Sequence, residues 1–213
     1  MKYYIIAGEA SGDLHASNLV KALKANGHEA EFRGWGGDKM KDEGVTLVKH
    51  YKEVAYMGFT EVIKHLPAIF KNLKTCKQDI EAYKPDVVIL VDYPGFNLRI
   101  AEFTHQNKFK TIYYISPQVW AWKESRVKKI KRYVDKLLVI LPFEKTFYKN
   151  HHFDVEFVGH PLLDVISPNE AKPTGNEKII AILPGSREQE ISKMLPLMLK
   201  MKAYFPDYEY HVA

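Results

Sequence analysis

The sequence predicts an α/β protein built on a parallel sheet, and three observations carry that expectation. Val87 to Val91 (VVILV) is a five-residue apolar run, too short for a buried helix and rich in β-branched types, as befits a central strand covered on both faces. Tyr3 to Ala7 is a second apolar run that leads through a glycine-bearing turn into a helical pattern, the opening of a βαβ unit. The same order restarts at Ile179 to Leu183, after a polar stretch holding Pro168, Pro173 and Gly175.

The totals set bounds. With 213 residues, 46% hydrophobic and 27% charged, the chain can bury a sizeable core, enough for one large domain or one and a half ordinary ones. A formal charge of +5 suggests an anionic partner, whether nucleic acid, phosphorylated metabolite or acidic membrane surface. A single cysteine, Cys76, excludes an intrachain disulfide and any multi-cysteine metal site. No run approaches the ~20 apolar residues needed to cross a bilayer. Met1-Lys2 leads straight into a strand rather than a signal peptide, so the chain is expected to be soluble or peripheral, and intracellular.

In chain order, Tyr3 to Ala7 is the first strand, followed by Gly8-Glu9-Ala10-Ser11-Gly12-Asp13 and a helix through Leu14, Leu19, Val20 and Leu23 that ends at Asn26-Gly27. The turn is neither a dinucleotide fingerprint nor a phosphate P-loop, so neither cofactor follows from it. It places two glycines, Glu9, Ser11 and Asp13 at a strand's carboxyl end; a simple capping turn accounts for Ser11 or Asp13 but less well for Glu9. Ala30 to Trp35 is the second strand, Gly36-Gly37 opens a short polar helix, and Leu47-Val48 is a weak third strand. From Phe59 to about Tyr83 the pattern is helical, interrupted at Pro67. Val62, Ile63, Leu66, Ile69, Phe70 and Leu73 form an apolar stripe flanked by Lys64, Lys71, Lys74 and Lys77. The stripe is either a core-facing surface or one that stays partly exposed and meets acyl chains.

Asp92 stands at the carboxyl end of the VVILV strand, where open α/β sheets bind ligands, and Tyr93-Pro94-Gly95 turns the chain there. The carboxylate is the leading candidate for chemistry; the competing reading is that it only caps its own turn. Asn97 reads as the N-cap of a helix to Gln106. Thr111 to Ile115 is the next strand, and Ser116 to Trp122 follows it with two tryptophans that either wall a sugar or lipid pocket or plug the loop. Arg126, Lys128, Lys129, Lys131 and Arg132 form a basic helical run of the kind usually found on a solvated face. Lys136 to Leu141 and Val155 to Val158 are further strands, the latter ending at Gly159-His160-Pro161, where His160 is either structural or functional. Residues 1–166 are read as the first domain, 167–176 as a linker, and 177–213 as the opening of a second domain that looks cut short.

Six segments together resemble the lipid-A-disaccharide synthase family: GEASGD (Gly8 to Asp13), MGFTEV (Met57 to Val62), VDYPGFN (Val91 to Asn97), SPQVWAW (Ser116 to Trp122), FVGHPLLD (Phe157 to Asp164) and LPGSR (Leu183 to Arg187). Any one is weak; their occurrence in the family's order along nearly the whole chain is specific. The resemblance implies the GT-B architecture, two Rossmann-like domains facing a cleft, of which this chain, about half the family's length, would hold the first and an incomplete second. It implies an inverting glycosyltransferase of lipid A biosynthesis that moves 2,3-diacylglucosamine from its UDP conjugate to 2,3-diacylglucosamine 1-phosphate, forms a β-1,6 linkage and releases UDP. Neither a metal nor a cofactor is implied. Asp92 matches the family's general base, which removes the acceptor hydroxyl's proton. Arg187, with Gly185 and Ser186, matches the group that meets the departing diphosphate, its alternative being a structural salt bridge. Glu9, Ser11, Gly12, Asn97, Trp120 and His160 are expected around the acceptor. Val62, Ile63, Leu66, Ile69 and Phe70 are expected at acyl chains or the inner-membrane surface, with the neighbouring lysines drawn to anionic lipid. A cytoplasmic protein peripheral on the inner membrane follows, with a homodimer open and no nucleic-acid partner. The rival readings are a non-catalytic acceptor- or membrane-binding fragment and a nucleotide-sugar epimerase, which shares the two-domain plan.

Overall fold

The structure is a computed structural model that describes residues 1–27, 29–53, 66–166, 178–185 and 188–213. It divides into two compact units, Met1–Val165 and Ile166–Ala213.

In the first unit the strands β1 (Lys2–Ala7), β2 (Glu31–Gly36), β3 (Thr46–His50), β4 (Val87–Val91), β5 (Lys110–Tyr114), β6 (Lys136–Val139) and β7 (Glu156–Phe157) form one sheet, ordered β3-β2-β1-β4-β5-β6-β7. Every pairing is parallel. The connections carry helices α1 (Ala10–Ala25), α2 (Asp38–Asp42), α3 (Leu66–Tyr83), α4 (Pro94–Gln106), α5 (Val119–Trp122), α6 (Val127–Tyr133) and α7 (Pro142–Asn150). Side chains alternate across a strand, so each central strand feeds two cores. Tyr3, Ile5 and Ala7 of β1 pack with Val87, Ile89 and Val91 of β4 and with Ala16 and Val20 of α1. Tyr4 and Ile6 pack on the opposite face with Val88, Leu90, Leu73, Cys76, Ile80 and Ile100. All five residues of β4 are buried, as a central parallel strand requires.

The helix α3 is tied to the sheet by a polar bracket as well as by its apolar stripe. Asp79 accepts two bonds from the Arg33 guanidinium, at 2.7 and 2.9 Å, and one from the Tyr4 hydroxyl at 2.8 Å. Trp35 Nε1 donates to the same hydroxyl at 3.1 Å. Cys76 lies buried beneath this bracket, and burial pushes its thiol pKa far up, so it is chemically inert.

Two local expectations are corrected, and one helix is added. Helix α1 starts at Ala10, so Ser11, Gly12 and Asp13 lie in its first turn and not in a loop before it. Pro67 is the second described residue of α3, and the expected helix from Phe59 with its interruption at Pro67 falls partly on residues 59–65, outside the described residues. Asn97 is not an N-cap: α4 begins at Pro94, its N-cap is Tyr93, and Asn97 is buried a turn inside. Helix α7 fills a stretch left unassigned from sequence. It begins with Pro142 in the first turn, and Glu144 accepts the N–H groups of Ile140 and Leu141 at 3.1 and 2.9 Å.

The second unit holds a parallel pair, β8 (Ile179–Ile182) and β9 (Glu209–Val212), joined through α8 (Glu188–Met198) and a 3₁₀ segment Leu199–Ala203. The interdomain stretch 167–176 lies outside the described residues.

Candidate functional site

The strand order reverses between β1 and β4, which are hydrogen-bonded neighbours whose connections leave in opposite directions. At such a switch point the two loops diverge and leave a crevice at the carboxyl edge. Gly8, Glu9, Ser11 and Gly12 line that crevice from the β1 side, and Val91, Asp92 and Tyr93 line it from the β4 side.

Asp92 and Tyr93 both adopt left-handed backbone, with φ of 41° and 47°. For residues with a Cβ this costs ~1–2 kcal/mol each, less for aspartate, so other contacts must hold the turn. Asn97 supplies them: its Nδ2 donates to the Val91 carbonyl at 3.1 Å and to the Asp92 carbonyl at 2.8 Å. The Tyr113 hydroxyl, arriving from β5, donates to the Asp92 carbonyl at 2.6 Å. Both side chains are fully buried. The Asp92 backbone is thus fixed from below, and its half-buried side chain stands at the rim. Asn97, expected around the acceptor, has its amide spent on this turn. Tyr113 was not picked out from the sequence; it lies in an unremarkable strand, and only the β4–β5 register (Leu90 opposite Tyr113) brings it beneath the turn.

On the β1 side the glycines are required by close approach. A Cβ on Gly8 would come within 2.3 Å of the Tyr93 ring, so the ring lies directly on the Gly8 backbone. One on Gly12 would sit 3.3 Å from Ala7 Cβ. Glu9 is half-buried at the N-cap position of α1, and Ser11 is exposed in the first turn. Asp13 faces away from the crevice: buried, it accepts the N–H groups of Gly37, Lys39 and Met40 at 2.8, 3.1 and 3.1 Å, and so caps α2.

His160 is half-buried, and its Nδ1 accepts the Leu162 N–H at 3.3 Å, starting the 3₁₀ turn Pro161–Asp164. His160 lies within electrostatic reach of His15 on α1, as Asp164 does of Tyr114. Burial, and then His160, push the pKa of His15 below its ordinary 6.5. His15 was not singled out from sequence, where one histidine in a helix carries no signal.

Beyond β5, Trp120 is 37% exposed and meets Phe143 edge-on at 4.9 Å, while Trp122 is 68% exposed, so Trp122 plugs nothing. The α3 stripe divides: Leu73 is in the core, Ile69 is half-buried and Phe70 is 62% exposed. Val62 and Ile63 lie outside the described residues, as do Ser186, Arg187 and the side chain of Leu66. Gly185, in the second unit, has φ of 108° with Glu190 packed against it. Among the described residues no group of three or more histidine, cysteine or acidic side chains could hold a metal ion, and no helix is long and apolar enough to cross a membrane.

A family model described as lipid-A-disaccharide synthetase matches residues 3–210. A lipid-A-disaccharide synthase 1 of Legionella pneumophila is 46% identical over 204 residues, which are 92% of this chain and 53% of that protein. The lipid-A-disaccharide synthase of Geobacter metallireducens is 43% identical over the same shares. The chain spans about half the length of the curated relatives it matches. Among solved structures, a UDP-GlcNAc 2-epimerase from Neisseria meningitidis bound to UDP-GlcNAc matches with a TM-score of 0.67 at 11% identity, over 100% of this chain and 65% of that one. The calicheamicin glycosyltransferase CalG4 matches with a TM-score of 0.54 at 16% identity, over 99% and 63%. At these identities the likeness is one of fold, the α/β architecture expected from the sequence.

Proposed function

This chain belongs to the lipid-A-disaccharide synthetase family, and we propose on that premise that it carries the acceptor-binding and base-bearing part of an inverting glycosyltransferase. The substrates are UDP-2,3-diacylglucosamine and 2,3-diacylglucosamine 1-phosphate, and the product is the β-1,6 disaccharide. The observation that carries the reading is Asp92: a carboxylate at the switch-point crevice, on a strained turn clamped by two buried side chains. Strain retained against an energetic cost is what a positioned reactive group requires.

In this mechanism the Asp92 carboxylate accepts the proton of the acceptor 6-hydroxyl as that oxygen attacks the anomeric carbon of the donor, opposite the UDP. The C–O bond to UDP breaks as the new glycosidic bond forms, and configuration inverts. Positive charge must meet the departing diphosphate, the role proposed for Arg187 beside Gly185 and Ser186. Glu9, Ser11 and Gly12 line the crevice wall facing Asp92, where they contact the acceptor sugar. The exposed Phe70, with Lys71 and Lys74 beside it on α3, suits a surface that meets the inner membrane from the cytoplasmic side.

The epimerase reading shares the fold but not the sequence, and 46% identity to a synthase against 11% to an epimerase weighs against it. The test is turnover by the chain extended to the length of its relatives. Asp92→Asn keeps the turn's shape and cannot take a proton, so a loss of ~10²–10⁴-fold is expected. Near-normal turnover in a folded Asp92→Asn protein would return Asp92 to a capping role.

A further inference from the structure

The segment after β5 holds an unspent pair of cations beside the proposed base. Between Val119 and Tyr133 it carries Lys123, Arg126, Lys128, Lys129, Lys131 and Arg132 against one acid, Glu124. That acid is engaged elsewhere, with His151 Nε2 at 3.0 Å. Lys123 Nζ lies 4.6 Å from the centroid of the Trp122 ring, and Arg126 Cζ lies 5.4 Å from it. Among the described residues neither cation has a carboxylate partner. A ring positions a cation through its π-face without neutralising it, and leaves the guanidinium N–H fork available for an anion. A carboxylate partner would have consumed both.

The segment that carries the pair follows the carboxyl end of the strand next to β4. Helix α5 leaves the carboxyl end of β5, the neighbour of β4, so Trp122 belongs to the same edge as Asp92. The Tyr113 hydroxyl, which bonds the Asp92 carbonyl, feels both charges: burial pushes its pKa up, Asp92 adds to the rise, and Arg126 opposes it. Arg126 is therefore within electrostatic reach of the group that clamps the Asp92 turn. It is half-buried, as a positioned cation is, whereas Lys128 and Lys129 of α6 are exposed. Trp120, on the same helix as Trp122, and Phe143, in edge-on contact and both exposed, add an apolar corner that can stack on a sugar or hold the start of an acyl chain.

We propose that Arg126 and Lys123, presented on the exposed Trp122 ring, form the phosphate-binding site of the acceptor, taking a sugar phosphate monoester beside Asp92. The site rests on the acceptor reading above and deepens it. A planar fork beside an aromatic ring suits bidentate contact with a phosphate, and two cations match a group carrying nearly two negative charges at neutral pH.

The experiment is equilibrium binding to the 213-residue chain, read by tryptophan fluorescence, of 2,3-diacylglucosamine 1-phosphate and of its dephosphorylated counterpart. Vesicles of phosphatidylglycerol or phosphatidylcholine form a separate arm. Arg126→Gln is expected to weaken binding of the phosphorylated ligand about 10-fold or more, while the weaker binding of the dephosphorylated sugar and the melting temperature stay unchanged. Lys123→Gln, at an exposed position, is expected to act in the same direction by a smaller factor. Equal losses for both ligands, or none for either, overturn the proposal. Lost vesicle binding with intact acceptor binding would assign the cations to a lipid headgroup and equally overturn it. If the wild-type chain binds neither sugar, it is the acceptor reading that fails, whatever the variants do.

Discussion

The clamp on the Asp92 turn can be tested by one isosteric change, Asn97→Asp. The Asn97 amide donates to the Val91 and Asp92 carbonyl oxygens from a fully buried position. A carboxylate there would face those two oxygens with charge of the same sign and no donor, so it must be protonated for the chain to fold. Protonation at pH 7 of a group whose unfolded pKa is ~3.9 costs about 4 kcal/mol, at ~1.36 kcal/mol per pH unit. The single O–H then replaces one of the two bonds, and losing the other costs about 1 kcal/mol more. The expected destabilisation is ~5 kcal/mol at pH 7, comparable with the whole stability of a marginal domain. The sign follows from linkage. A carboxyl whose folded pKa is raised keeps its stability below the unfolded pKa and loses it as pH rises. The deficit relative to wild type should therefore shrink to about 2.5 kcal/mol at pH 5. Urea denaturation of both proteins at pH 5, 6 and 7 measures it. A deficit below 1 kcal/mol that does not change with pH would show that the amide is not the donor to these carbonyls, and the account of a clamped turn would fall.

Three further outcomes are expected. Gly8→Ala places a methyl group 2.3 Å from the Tyr93 ring; it should cost ~1–3 kcal/mol, and Tyr93→Ala in the same chain should recover part of that, since the two share one contact. Independent, additive losses in thermal denaturation would refute the packing of ring on backbone. His15, with its pKa held below 6.5, binds less proton folded than unfolded. Wild-type stability should accordingly fall as pH drops through the window beneath 6.5, and His15→Gln should flatten that slope; parallel melting curves for the two proteins from pH 7 to 5 would contradict it. Phe70→Ser, at a 62% exposed position, should change stability by no more than ~0.5 kcal/mol, whereas Leu73→Ser, 6% exposed, should cost ~2–5 kcal/mol. Phe70→Ser should also reduce sedimentation with anionic vesicles, and unchanged sedimentation would remove Phe70 from the membrane face.

Much of the fold was legible because it is written in local pattern. VVILV has one sensible environment, a strand covered on both faces, and the structure buries all five residues. Strand, glycine turn and helix at the N-terminus needed only the order of residue types. Helix α7 was missed although Pro142 and Glu144 signal its start, because Phe143, Phe147 and Tyr148 give too short a periodic run to stand out. Asn97 was misread for a different reason. An asparagine just beyond a Pro-Gly turn is a good N-cap by residue type, but two left-handed residues before Pro94 start the helix four positions earlier and turn the amide inward.

The sequence by itself determined the alternation of strands and helices, and it put a carboxylate, Asp92, at the end of the most buried strand. Those are properties of residues close together in the chain, set by periodicity, backbone preference and turn chemistry. Only the tertiary structure decided which groups share the crevice. Gly8 lies under Tyr93, Asp13 leaves the crevice to cap α2, Tyr113 reaches the Asp92 carbonyl from the next strand, and Arg126, beside the Trp122 ring, comes within electrostatic reach of Tyr113. The first three meetings depend on strand order and register, which join positions 21 to 85 residues apart, and no local pattern in the chain specifies them.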